Sequence, residues 1–293
     1  MHGWIILDKP VGIGSTPCVS RVKRALRDAG LKKPKVGHGG TLDPLASGAL
    51  PIAIGEATKL AGRMLDASKT YDFTLHFGTE TDTLDAEGAV VATSDHRPDE
   101  QDVIDVLVGF TGTIEQMPPT YSALKVDGKR AYELARAGEA VDLQSRTVTV
   151  FDLRLVAASR DSATFTATVS KGTYIRSLAR DIALAVGSRG HVTMLRRTRA
   201  GPFGLEQAIS LDKLDEIAKA RSLNEVVLPL VAGLDDIPAL LVTPEQAQAL
   251  KHGKRLQGHP APPGQHLAME GDTPIALVTV DDGEVAVVRG FNL

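Results

Sequence analysis

Gly37-His-Gly-Gly-Thr-Leu-Asp-Pro-Leu-Ala-Ser-Gly48 sets one carboxylate, Asp43, in a glycine-rich loop immediately before Pro44. A residue that precedes proline is pushed toward extended backbone, so Asp43 does not sit inside a helix and its carboxylate is presented from a loop. Gly37, Gly39, Gly40 and Gly48 let the chain turn sharply and leave room for a planar ligand to approach the backbone. That is the setting a carboxylate nucleophile requires. An isolated Asp-Pro pair more often caps a turn, so the weight falls on the company it keeps.

Residues 69–78, Lys-Thr-Tyr-Asp-Phe-Thr-Leu-His-Phe-Gly, alternate with period two and place Tyr71, Phe73, Leu75 and Phe77 on one strand face. Residues 170–182, Ser-Lys-Gly-Thr-Tyr-Ile-Arg-Ser-Leu-Ala-Arg-Asp-Ile, run from a strand through Gly172 into a helix with Ile175, Leu178 and Ile182 as its apolar stripe. With the Asp43 loop, these segments resemble the three motifs of the TruB family of tRNA pseudouridine synthases. Asp8-Lys-Pro-Val-Gly12, Tyr121-Ser-Ala-Leu-Lys125 and His191-Val-Thr-Met-Leu-Arg-Arg197 resemble the same family, in its order, across residues 3–235. Two positions depart from it: Gly14 stands where a hydroxyl residue is usual, and Gly39 where threonine is frequent. Altered loop packing with unaltered chemistry is expected there.

At 293 residues and 43% hydrophobic content, the chain can bury a large core, and its length suits one large domain plus a smaller one. The apolar run in Met-His-Gly-Trp-Ile-Ile-Leu-Asp-Lys is too short for a signal peptide or membrane span, which points to a cytosolic protein. A single cysteine, Cys18, excludes an internal disulfide and any multi-thiolate zinc site, and is expected as a packed helix residue. The net charge of −3 conceals an uneven distribution. Residues 21–35 carry seven basic side chains against Asp28, residues 170–199 seven against Asp181, and residues 79–105 nine acidic ones against Arg97. Two basic runs flanking the Asp43 motif favour a phosphate backbone as partner, although each alone reads as solvated surface.

Along the chain, residues 3–7 read as a strand, followed by a helix capped by Ser15 or Thr16, with Pro17 inside its first turn and Val19, Val22, Leu26 and Ala29 as its buried stripe. Gly12-Ile-Gly-Ser-Thr-Pro17 imitates a dinucleotide-binding fingerprint, but Pro17 replaces the third glycine and Lys32 and Lys33 stand where a ribose-binding acid belongs, so a nicotinamide site is rejected. Strands over 49–54 and 71–77, helices over 56–66 and 99–110, and two strands within 147–169 mix without a βαβ repeat, which gives an α+β fold. The resemblance implies a central mixed, largely antiparallel sheet with the catalytic loop in a central cleft, and a catalytic domain over 1–232. Residues 117–147, with a basic helix over 128–138, are expected as a mobile insertion that closes over RNA. Past a linker-like stretch at 229–238, Thr243-Pro-Glu-Gln246 is a capping box, and 275–280 with 284–289 form a hairpin about Asp281-Asp-Gly283. This small β-rich domain, 238–293, resembles a PUA-type RNA-binding tail in position, although its four Lys and Arg against six Asp and Glu do not favour strong RNA binding.

The resemblance implies that Asp43, Arg176 and Tyr71 are catalytic and that no cofactor or metal takes part, because breaking the uracil N1 bond to ribose and rejoining through C5 is redox-neutral. Whether Asp43 attacks the ribose or the base, or assists elimination, stays open. Burial raises a carboxyl pKa, so an ionised Asp43 requires an opposite charge, and Arg176 can grip both its oxygens. Tyr71 corresponds to a residue that stacks on the base, although its phase with Phe73 equally fits a core aromatic. His38 corresponds to the side chain that fills the space of a flipped base; no His-x-x-x-His or cysteine partner accompanies it. Leu195 is a uracil wall or a core leucine, and Lys9 supports the loop or touches RNA. Tyr174, Arg180, Arg196 and Arg197 complete the implied RNA contacts. The expected activity is a stand-alone, monomeric isomerase of uridine 55 in the tRNA T-arm, independent of guide RNA; a non-catalytic tRNA chaperone and a guide-dependent synthase are the alternatives.

Overall fold

The computed structural model describes residues 1–122, 124–126, 128–139 and 142–293. Ala123 in the Tyr121 motif, and Asp127, Ala140 and Val141 in the expected insertion, lie outside the described residues. Strand β1 (Gly3–Lys9) is followed by helix α1 (Ser15–Asp28), β2 (Val36–His38), β3 (Ala46–Ile54), α2 (Ala61–Asp66) and β4 (Lys69–Phe77). A ribbon of β5 (Thr79–Thr81) and β6 (Val90–Thr93) leads to α3 (Glu100–Leu107) and β7 (Gly112–Gln116). Next come the short pair β8 (Lys125–Val126) and β9 (Lys129–Arg130), α4 (Ala131–Arg136), the long pair β10 (Arg146–Ala158) and β11 (Ser162–Val169), and α5 (Ile175–Ala185). β12 (Gly190–Ala200), β13 (Phe203–Gly204) and α6 (Leu211–Ala220) precede a tail of β14 (Ala239–Leu241), α7 (Pro244–Lys251), β15 (Gly264–Glu270), β16 (Thr273–Asp281) and β17 (Glu284–Gly290).

The main sheet runs β1-β3-β12-β4-β11-β10-β7, with β2 and β13 paired onto β3 and β12. β3 and β12 are parallel and every other pairing on the path is antiparallel, so the α+β, mixed and largely antiparallel expectation holds. That parallel register sets Leu195 opposite Ala46 and Arg197 opposite Gly48, which places two β12 side chains beside the exit of the Asp43 loop. On β4, Phe73, Leu75 and Phe77 are buried as their alternation requires, while Tyr71, in the same phase, is only half-buried at the end of the stripe. The helices α1, α3, α5 and α6 cover the core face of this sheet with Val22, Leu26, Val103, Leu178, Ile182 and Leu214 among others. A second apolar cluster joins Trp4, Ala53 and Met64 of the main body to Leu267 and Leu277 of the four-stranded tail sheet β14-β15-β16-β17 and to Phe291 just after it.

Three local expectations change. The cap of α1 is Gly14, which offers no side-chain acceptor, because Ser15 is already occupied by the backbone of Leu42. Residues 56–66 split into a 3₁₀ turn (Gly55–Leu60) and α2, since the Thr58 hydroxyl donates to Gly55 O at 2.7 Å and competes with the α-helical pattern. In the 117–147 segment the helix is the short α4. Thr243 does form the capping box that opens α7.

Candidate active site

Four anchors hold the Asp43 loop. The Ser15 hydroxyl accepts from Leu42 N at 2.8 Å and donates to Leu42 O at 3.2 Å. Gly12 N donates to Pro44 O at 2.8 Å. The Lys9 ammonium donates to the carbonyls of Pro10, Ile13 and Pro44 at 3.0, 2.6 and 3.3 Å. Arg197 donates from Nε to Ala49 O at 2.8 Å, from Nη1 to Thr41 O at 3.4 Å and from Nη2 to Gly40 O at 3.1 Å. Gly48 has φ +104°, and a Cβ there would lie 2.1 Å from Arg197 O, so only glycine lets β3 approach β12. A Cβ on Gly39 would meet Met64 Cβ at 2.6 Å, so the methionine takes up the room.

The loop delivers Asp43 to Arg176 in the first turn of α5. Arg176 Nη2 lies 2.8 Å from Asp43 Oδ2 and Nη1 lies 3.4 Å from Asp85 Oδ2. The same two nitrogens donate to Tyr121 O at 3.0 Å and Thr83 O at 2.7 Å. One guanidinium therefore bridges two carboxylates, a geometry open to a planar fork and closed to an ammonium. Its side chain is 6% exposed, whereas that of Asp43 is 40% exposed, so the arginine is a buried brace and the aspartate faces the cleft. Asp85 is fixed in turn, accepting on Oδ1 from the Thr83 hydroxyl at 2.5 Å and from Glu87 N at 3.1 Å.

The cleft over Asp43 has a volume of 310 Å³ and is walled by Tyr71, Tyr174, Leu195, Leu65 and Lys69. That size is within the range of small-ligand sites, with apolar and aromatic walls around a few fixed polar groups. Asp43 and Arg176 also border an adjoining opening lined by His38, Thr41 and the start of α1. Burial, reinforced by the Arg197 charge, lowers the His38 pKa, so its imidazole is neutral around pH 7; Gly40 N lies 3.3 Å from its Nδ1. Lys69 donates to Leu65 O and Ala67 O at 2.6 Å each, and burial, followed by the neighbouring Arg197, lowers its pKa to about 8.

Of the ten residues expected from sequence, Asp43, Tyr71, Arg176, Leu195, Tyr174 and Arg197 converge on this cleft, and His38 on the adjoining one. Lys9 is 0% exposed and Arg197 1% exposed, with their side-chain nitrogens donating to loop carbonyls, so both brace the loop, which for Lys9 is one of the two roles expected. Arg196 is turned to Asp8, which accepts two of its hydrogen bonds at 3.0 and 2.8 Å. Arg180 pairs with Asp181 and borders a separate opening near Glu80 and Asp82. Tyr174 carries the Arg146 guanidinium 4.7 Å above its ring, and its backbone is clamped by Gln116, which accepts from Tyr174 N at 2.8 Å and donates to Tyr174 O at 3.2 Å.

Sequence reasoning missed Asp85, Lys69 and Gln116. Asp85 was absorbed into the charge total of the 79–105 run, although it lies in Thr-Asp-Thr-Leu-Asp85, where closely spaced hydroxyl and acid residues signal a structured turn. Among the described residues no group of three or more His, Cys, Asp or Glu side chains is arranged to hold a metal ion.

Solved structures share this architecture. A chain from a structure titled "Structure of H/ACA RNP bound to a substrate RNA containing 2'-deoxyuridine" matches with a TM-score of 0.75 and 26% identity, over 99% of this chain and 85% of that one. A chain of a Cbf5-Nop10-Gar1 complex matches with a TM-score of 0.75 and 28% identity, over 99% and 84%. The fold is that of the pseudouridine synthase class. Residues 27–175 match the N-terminal domain of TruB family pseudouridylate synthases, and residues 176–235 match the tRNA pseudouridylate synthase B C-terminal domain. The chain belongs to the TruB family and is an isomerase. It is 61% identical to tRNA pseudouridine synthase B of Novosphingobium aromaticivorans, over 100% of this chain and 98% of that protein. With the protein of the same name from Zymomonas mobilis the identity is 59%, over 100% and 96%.

Proposed function

We propose that this chain converts uridine 55 in the T-arm loop of tRNA to pseudouridine, acting alone on a flipped base with Asp43 as the nucleophile. The observation that carries this reading is the Asp43–Arg176–Asp85 bridge at the floor of a cleft walled by Tyr71 and Leu195. Isomerisation breaks the bond from uracil N1 to ribose C1′, turns the base, forms a bond from C5 to C1′, and transfers the C5 proton to solvent while N1 gains one. Electrons balance within the uridine, so no oxidant or reductant enters.

Each residue has a defined task. Asp43, held beside Arg176, supplies the lone pair that bonds to the substrate and is released when the C5 bond has formed. Arg176 fixes the carboxylate direction and is too buried to contact phosphate. Tyr71 and Leu195 sandwich the uracil plane while it turns. Extruding a stacked base costs roughly a few kcal/mol, and the neutral His38 ring, beside the adjoining opening, is suited to filling the vacated stack. Identity at the level of 61% to a tRNA pseudouridine synthase B, covering nearly its whole length, supports tRNA as the substrate and independence from guide RNA.

The test is tritium release from a tRNA transcript labelled at uridine C5, with Asp43→Asn beside the wild type and a second transcript carrying cytidine at position 55. One equivalent of tritium is expected from wild type on the uridine transcript only. Tight binding without release by wild type would sink the isomerase reading and leave a tRNA chaperone.

A further inference from the structure

We propose that the turn at residues 32–35, together with the exposed face of α1, is a second RNA-contact surface that grips the phosphodiester backbone alongside the catalytic cleft. The inference rests on the tRNA reading above and adds the place where the backbone is held.

Seven cations lie in residues 21–35 against one acid, Asp28. Arg21 is accounted for within the fold, pairing with Asp215 and Asp212 of α6. Lys23, Arg24, Arg27, Lys32, Lys33 and Lys35 form no ion pair among the described residues, and all but the half-buried Lys23 are exposed. Elsewhere on the surface Arg63, Lys171, Arg189 and Arg196 each have a carboxylate partner. In a chain whose acidic residues outnumber its basic ones by 36 to 33, six neighbouring unpaired cations repel one another, and a polyanion relieves that repulsion.

Backbone hydrogen bonds tie this surface into the fold. α1 ends with Gly30 N donating to Arg27 O at 2.9 Å and Leu31 N to Leu26 O at 3.0 Å, and Gly55 N ties down Lys35 O at 2.9 Å. Lys35 directly precedes β2, whose last residue is His38, so the two Cα atoms stand about 10 Å apart along an extended strand. The other end of α1 abuts the Asp43 loop through Ser15, and its 14 residues extend about 21 Å from that point. A helical stem whose loop enters the cleft beside His38 and which lies along α1 would run past these cations. Lysine and arginine in this number suit phosphate contacts, which hold and orient RNA without reading its sequence.

The test is binding of an unmodified tRNA transcript, followed by fluorescence anisotropy over a series of KCl concentrations. Wild type is compared with Lys32→Ser/Lys33→Asn/Lys35→Ser, in which Asn suits the left-handed backbone at position 33 (φ 50°). Arg160→Ser/Lys254→Ser removes exposed charge elsewhere as the comparator. The triple variant is expected to bind at least ~10-fold more weakly, and its plot of log affinity against log salt to flatten by about 2 to 3, as loss of three phosphate contacts requires. A slope that changes by less than about 1, or an equal change in the comparator, overturns the proposal. Tritium release by wild type in the same preparation separates the two readings: salt-dependent binding without release defeats the isomerase reading alone, and release with an unaltered slope in the triple variant defeats the surface alone.

Discussion

Replacing Arg176 by lysine is the most searching perturbation of this site, because it keeps the charge and removes the shape. Two guanidinium nitrogens make four contacts, to Asp43 at 2.8 Å, Asp85 at 3.4 Å, Tyr121 O at 3.0 Å and Thr83 O at 2.7 Å. A single ammonium cannot span two carboxylates and two carbonyls, so at least one carboxylate loses its partner. If that is Asp85, whose side chain is 8% exposed, a buried charge is stranded; hydrogen bonds to charged groups contribute ~1.5–3 kcal/mol each. The Asp43 contact counts for less toward stability because that side chain is 40% exposed and solvent screens it. Unfolding free energy should fall by ~2–4 kcal/mol, lowering Tm by roughly 3–7 °C. Loss of a fixed carboxylate direction should reduce the single-turnover rate of tritium release by ~100-fold, the usual effect of about 1 Å of misplacement. Affinity for tRNA should stay within about threefold, since Arg176 is buried below the cleft floor. Asp85→Asn should slow turnover in the same direction, and the double variant should lose less than the two single losses combined, because both act on one bridge. An Arg176→Lys enzyme that melts and turns over like wild type would refute the brace.

Lys9→Met should lower stability by ~2–4 kcal/mol, through loss of a buried ammonium shared by three carbonyls, and leave the salt slope of RNA binding unchanged; a flattened slope would restore Lys9 as an RNA contact. Gly48→Ala forces a Cβ to within 2.1 Å of Arg197 O at φ +104°, so soluble yield and Tm should collapse, and a melt within about 3 °C of wild type would show that β3 and β12 can separate. Lys69 has its pKa lowered from 10.5 to about 8 by burial. Below pH 8 the amine is charged in both folded and unfolded chains; between pH 8 and 10.5 the unfolded chain keeps a proton that the folded one has lost. Stability relative to Lys69→Met should therefore rise across that window by about 2–3 kcal/mol, read from urea melts, and a flat difference would mean the amine stays protonated in the fold.

The sequence by itself determined the local elements and the chemistry-bearing residue types. Period-two alternation placed β4, the Thr243 box opened α7, and Asp43 before Pro44 was legible as a loop carboxylate, because these signals depend on neighbours in the chain. The same reading assigned Arg197 to RNA and left Lys9 between loop support and RNA, since a positive charge in a motif has no burial until the fold supplies it. Only the tertiary structure decided that these two cations spend their donors on loop carbonyls, while Asp85, 42 residues from Asp43 in sequence, shares its arginine. The parallel pairing of β3 with β12 brings Leu195 and Arg197 to the exit of the Asp43 loop, and α5 brings Arg176 to its carboxylate. Such contacts arise from strand register and helix packing between distant segments, where the energy of each partner depends on who its neighbours are in space.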